Sequence, residues 1–286
     1  MRPAVILIVI AALTALFDAT PASAQSLGNL TVAPTRVVFE GRTRSEVITL
    51  INNGAETATY RISVIEMRMR EDGGFERVMD ETDREGVRSA SEMFRYAPRQ
   101  IELQAGQTQS IRVLLRKPAD LAEGEYRSHI LIQSLPKEGS GRSVENLGSG
   151  QNLSINLTII PGVTLPVIVR HGNLSATAAL TDFSLAPAGE GKDKPELSFR
   201  IERTGNRSLY GDLTATWYPA GRNNGVVISE IKLLAVYVPN ASRQVAMQLS
   251  LPEGMELSGG RIAVTYTTPP SEGAVEMAVG EYTVPQ

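Results

Sequence analysis

The sequence predicts an all-β protein of two β-sandwich domains, and three observations carry that expectation. Apolar and polar residues alternate in short segments along nearly the whole chain, the period of two that marks a strand with one apolar face. Turn residues separate these segments, and stretches of helical period are few. Of the 286 residues, those left after an N-terminal leader are more than twice the roughly 100 that one sandwich needs. The alternation pauses near residues 169–173 and then restarts. This divides the chain into a leader at 1–24, a first domain at 25–171 and a second at 172–286.

The leader reads MRPAVILIVIAALTALFDATPASAQS. Arg2 gives it a positive start, residues 4–17 form an apolar run, and Ala-Ser-Ala at 22–24 offers small residues for cleavage before Gln25. The run is shorter than the about 20 apolar residues of a membrane-spanning helix, and Asp18 and Pro21 follow it closely. Export with cleavage is expected. No later segment is apolar enough to span a membrane.

In the first domain, LTVAPTRVVFEG reads as strand, bend and strand, and SEVITLINNG as a strand ending in an Asn-Gly turn signal. TATYRISVIEMRM alternates Tyr60, Ile62 and Val64 with Thr59, Arg61 and Ser63. Beyond Arg70 the pattern gives way to EDGGFERVMDETDREGVRSASE, a charged connection. RQIELQAGQTQSIRVLLRKP supplies two strands around Ala105 and Gly106, and GEYRSHILIQSLP supplies one more. A polar loop, KEGSGRSVENLGSG, precedes QNLSINLTII and GVTLPVIVRHG. In the second domain LSATAALTDFSLA, GEGKDKPELSFRIERTGNRSLYGDLTATWYP, GVVISEIKLLAVYVPN, SRQVAMQLSLPEG and GGRIAVTYTTPP continue the strand rhythm.

Composition narrows the function. With no Cys there is no disulfide framework, so the core alone must hold an exported fold. A net charge of −3 carries no nucleic-acid signature. Only His129 and His171 are present, and neither shares a local motif with a nucleophile. No GxSxG elbow, phosphate-binding loop or HExxH helix occurs, and the acidic clusters at 71–72 and 80–83 lack calcium-loop spacing. No catalytic residue, metal site or cofactor is expected, and binding becomes the leading class.

The segment QNLSINLTII places Leu153, Ile155, Leu157 and Ile159 on one strand face and Asn152, Ser154, Asn156 and Thr158 on the other. Such a row after a polar loop has two readings. It is one more wall of the protein's own sandwich, or a strand presented to another protein.

At this point the chain resembles the periplasmic pilus-assembly chaperones, the PapD-like family. APTRVVFEG at 33–41 resembles the family's first strand. LLRKPADLAEGEYRSHILIQSLP resembles its penultimate strand region, and LTIIPGVTLPVIVRHG the last strand of its first domain. The resemblance implies two immunoglobulin-like sandwiches meeting in an L shape. It also implies a periplasmic chaperone that caps pilus or fimbrial subunits by donating a strand and delivers them to an outer-membrane usher. Leu153, Ile155, Leu157 and Ile159 would then fill the client's groove, and Arg36 would match the arginine that anchors the client's terminal carboxylate. Glu125 and Arg170 match two members of an interdomain ion-pair group, whose third falls near Ser271, with Glu272 beside it. Two departures stand out. The family's lysine partner to the arginine is replaced by Pro166, and Pro161, which has no N–H to donate, sits at the end of the apolar row and should shorten or bend the donor strand.

Two rival functions remain open in the sequence. A secreted immunoglobulin-like adhesin or pilus subunit would carry its own exchangeable N-terminal strand, but QSLGNL after the cleavage site is short. A carbohydrate-binding module would want exposed aromatics, yet aromatics make up 5% and Trp217 is the only Trp.

Overall fold

The structure is a computed structural model that describes residues 25–27, 29–79, 86–136, 160–189 and 193–286. The leader at 1–24 and the apolar row of Leu153, Ile155, Leu157 and Ile159 lie outside the described residues. The described residues form nineteen strands and no α-helix, and no helix among them is long and apolar enough to cross a membrane.

Two five-stranded sheets face each other in the first sandwich. One runs β1 (Gln25–Leu27), β2 (Leu30–Ala33), β4 (Ser45–Asn52), β10 (Thr108–Leu115), β8 (Phe94–Ala97). The other runs β3 (Val37–Phe39), β12 (Gly162–His171), β11 (Gly124–Leu135), β5 (Ala58–Ile65), β9 (Gln100–Leu103). Alternation decides what lies between them. Val32, Ile48, Leu50, Ile111 and Val113 point inward from the first sheet, and Phe39, Ile62, Ile130, Leu165 and Val167 from the second. The bend read in LTVAPTRVVFEG carries the chain from the first sheet (β2) to the second (β3). The Asn-Gly signal after β4 is likewise a crossing between sheets rather than a hairpin, since β4 and β5 lie in different sheets.

The second sandwich sets a three-stranded sheet, β13 (Ala176–Ala186), β14 (Glu196–Gly205), β17 (Ser242–Gln248), against a four-stranded one. The latter runs β16 (Val226–Val236), β15 (Leu209–Tyr218), β18 (Arg261–Thr267), β19 (Glu276–Thr283). Its core includes Phe199, Leu213, Trp217, Val264 and Tyr266. β19 was not read from the sequence, because Gly280 and glutamates interrupt its alternation.

The charged connection after Arg70 is more ordered than the sequence suggests. β6 (Met67–Met69) and β7 (Phe75–Arg77) pair as a hairpin whose turn reaches the second sandwich. Asn240 Nδ2 donates to Met69 O at 3.0 Å, and Gln244 N donates to Glu71 O at 2.7 Å. Gly73 in that turn adopts φ +84 and lies against the Arg243 guanidinium, where a Cβ would collide with it.

The outer face of the β3–β9 sheet is therefore covered where an isolated sandwich would be wet. Ile168 of β12 packs with Met69, Ala235 and Tyr237 in a small third core, flanked by Val38 and Tyr210.

Phe39 is fully buried at the end of β3. Phe39→Ala should lower stability by roughly 3–5 kcal/mol through lost burial and the cavity left behind. Urea denaturation should show a lower midpoint at an unchanged slope.

Candidate functional site at the domain junction

Glu125 and Arg170 are cross-strand partners on β11 and β12. Both side chains sit on the covered outer face, 2% and 5% exposed. Arg170 Nε donates to Glu125 Oε2 at 3.0 Å, and its Nη1 donates to Glu40 at 2.8 Å. From the second sandwich, Ser208 donates its hydroxyl to Glu125 Oε1 and its N–H to Oε2 at 3.3 Å. Arg207 reaches Glu40 at 3.5 Å. The bond and charge of Arg170 outweigh the burial that would raise the Glu40 carboxyl and hold it below its ordinary range, with Arg207 and Arg36 adding to the effect. The network crosses the junction and satisfies a carboxylate that would otherwise be stranded in low dielectric.

Glu272 was expected to join this group, and it does not. Its Oε1 accepts from Arg36 Nη2 at 3.1 Å. It ends the short 3-10 turn Pro270–Glu272 between β18 and β19. The Arg36 guanidinium also stacks on the Tyr210 ring at 3.5 Å. Arg36, Val38, Glu40, Arg170, Arg207 and Glu272 line one cavity of about 530 Å³ between the sandwiches. Arg36 therefore lies in the cleft, with a carboxylate already on its fork.

β12 is paired on both edges only in its second half. β3 pairs with it in parallel from Val167 onward, while β11 pairs with it from Gly162. Among the described residues no strand bonds to the β3-side edge of residues 162–166. Pro166 sits where that free edge ends and is opposite His129 on β11. Arg36 immediately precedes β3 and lies outside its pairing with β12, which starts at Val37 and Val167. Just before β12, Ile160 is 43% exposed.

Sequence reasoning set His129 aside as packing. It is 3% exposed, and both of its ring nitrogens lack a hydrogen-bond partner. Burial, and then the neighbouring Arg127 charge, push its imidazole down to about 3. Alternation alone could not reveal this, because the cover over His129 comes from distant residues, Phe75 and Tyr237. Trp217 is buried in the second core and donates its Nε1–H to Gly259 O at 3.0 Å, so it forms no exposed platform.

Arg170→Met should destabilise the fold by about 3–5 kcal/mol, since it leaves Glu125 buried without its cation. The double variant with Glu125→Gln should recover part of the loss, so a double-mutant cycle will be strongly non-additive. His129 should be neutral across pH 5–7.5, with a ring NMR signal that does not titrate there. Because its folded pKa lies below the unfolded value of about 6.5, the unfolded chain binds more protons between these values. The His129 contribution is thus fully present above about pH 6.5 and is lost as pH falls toward 3. Urea midpoints at pH 7 and pH 4 should differ less in His129→Gln than in the parent.

No family model and no curated protein matches the chain. Solved structures similar to it include the CupB2 chaperone of Pseudomonas aeruginosa, at 11% identity and TM-score 0.41, covering 88% of this chain and 97% of that one. The E. coli chaperone DraB matches at 14% identity and TM-score 0.39, covering 90% and 98%. A chain of the Salmonella enterica complex of the SafA pilin with the SafB chaperone matches at 14% and 0.41, covering 91% and 98%. These structures are described as chaperones or as a complex that contains one.

Proposed function

We propose that this chain is a periplasmic chaperone that binds and caps pilus-like subunits by strand addition and passes them to an outer-membrane usher. It acts as a binding protein, needs no cofactor, and is exported by the leader at 1–24. The observation that carries this proposal is the half-paired edge of β12. An unpaired edge offers backbone donors and acceptors to another chain, and natural sheets usually blunt such edges. Here the edge continues N-terminally toward the apolar row of Leu153, Ile155, Leu157 and Ile159. A client sandwich lacking a strand would receive both a hydrogen-bond ladder and a row of side chains spaced roughly 7 Å apart.

Burying each aliphatic contributes roughly 1.5–3 kcal/mol, of the same order in sum as the association penalty. Side chains alone therefore give little net affinity, and the backbone ladder and a charged anchor have to add to it. Arg36 supplies the anchor in this proposal, as a guanidinium fork suited to a terminal carboxylate. Glu272 occupies that fork and competes with the client. Pro166 beside it carries no charge, so the cation opposite the client's end comes from Arg36 itself.

Two predictions test these assignments. If the row serves a client, Leu157→Asp should abolish co-purification with subunits encoded beside it, at a nearly unchanged melting temperature. If the row belongs to the protein's own core, the same change buries an unpaired charge and lowers stability by several kcal/mol. Arg36→Ala should weaken subunit binding about tenfold or more, since a charged hydrogen bond contributes about 1.5–3 kcal/mol. Glu272→Gln should instead tighten binding by freeing the fork. Titration of a purified subunit reads both effects, and unchanged affinity in both variants would remove Arg36 from the site.

A further inference from the structure

Arg36 reaches the cleft from the first sandwich, and its side chain is 13% exposed. Tyr210 of β15 meets it from the second, with the guanidinium carbon 3.5 Å from the centre of the ring. Alternation explains why the ring is there. Leu209, Leu213 and Trp217 of β15 turn into the second core. Tyr210 turns to the opposite face, where it packs, like Val38, against the cluster of Met69, Ile168, Ala235 and Tyr237. Two residues earlier, Ser208 bonds to the buried Glu125. The entry to β15 therefore carries both a partner of the junction carboxylate and the ring beneath Arg36.

Arg36 lines the cavity of about 530 Å³ and Tyr210 does not, so the ring meets the guanidinium and not what the cavity receives. Burial raises the Tyr210 phenol against the opposing pull of the Arg36 charge. The ring is thus uncharged at neutral pH and attracts the cation through its π face. A guanidinium this close to a ring centre lies on it by its own face. Its N–H donors then point outward around its rim, in the plane that a carboxylate requires. An arginine free in solvent samples many rotamers, and their loss on binding costs affinity. A stacked arginine has lost them before the ligand arrives. Glu272 illustrates the result, since its Oε1 accepts from Nη2 at 3.1 Å while the same guanidinium stays on the ring.

We propose that Tyr210 is a positioning residue for the carboxylate anchor, holding the Arg36 guanidinium in the cleft with its donor rim turned to a chain-end carboxylate. The inference rests on the reading of Arg36 as that anchor. It adds a residue of the second sandwich, so the anchor draws on both domains.

The test is a double-mutant cycle on affinity for a purified subunit encoded beside this chain, measured by titration calorimetry on the full mature protein, with the melting temperature as the check on folding. Tyr210→Phe keeps the ring and should leave affinity within about twofold of the parent. Tyr210→Leu keeps an apolar side chain without a ring and should weaken binding roughly fivefold or more. In Arg36→Ala the same change to leucine should have no further effect, because the guanidinium it acts through is gone. A merely structural role would weaken binding by the same factor in both backgrounds, and that result overturns the inference. So does unchanged affinity in Tyr210→Leu with Arg36 present. A loss in Tyr210→Phe equal to that in Tyr210→Leu would place the effect in the hydroxyl and overturns it as well. Failure of the anchor reading looks different, since Arg36→Ala then leaves affinity at the parent value and the inference falls with it. Should Tyr210→Leu fail to fold, Tyr210→Met, which also lacks a ring, takes its place in the cycle.

Discussion

The carboxylate of Glu125 is fully enclosed where two sandwiches meet, and the junction is organised around keeping it paired. Arg170 meets it from the neighbouring strand, Ser208 meets it from the other sandwich, and Glu40 and Arg207 extend the network toward solvent. A buried ion pair contributes little net stability compared with an apolar pair of the same shape. It is, however, unforgiving of displacement, because sliding one sandwich away would leave a charge in low dielectric without a partner. The pair therefore fixes geometry more than it adds energy. The apolar contact of Ile168 with Ala235 and Tyr237, and the hairpin reaching from Met69 and Glu71 to Asn240 and Gln244, act in the same direction.

With the sandwiches held, one sheet face becomes a structured cleft. Arg36 lines it and faces Tyr210 and Glu272 of the second sandwich. Among the described residues no strand pairs with the β3-side edge of β12 at residues 162–166.

Much of this was legible in the sequence, and the limits are physical. Alternation located the strands around Tyr60, Ile130 and Leu165 because each buries one face in its own sandwich. It could not place Ile168, His129 or Arg170 as buried, since they lie on the face that an isolated sandwich would expose and are covered by residues far along the chain. β7 was read as part of a charged connection because it is only three residues long and the turn before it is charged. Glu272 was placed beside the Glu125–Arg170 group by the family resemblance, whereas in the structure its carboxylate pairs with Arg36. The apolar row at 153–159 was legible from its period of two and lies outside the described residues.

Backbone hydrogen exchange of residues 151–166, measured in the free mature chain and in its complex with a co-expressed subunit, tests the central claim most directly. Strand addition predicts that amides on both sides of Leu153, Ile155, Leu157 and Ile159 gain strong protection on complex formation, continuing into the free edge of β12. Protection that is unchanged there, or that appears instead on the strands of the second sandwich, would contradict it.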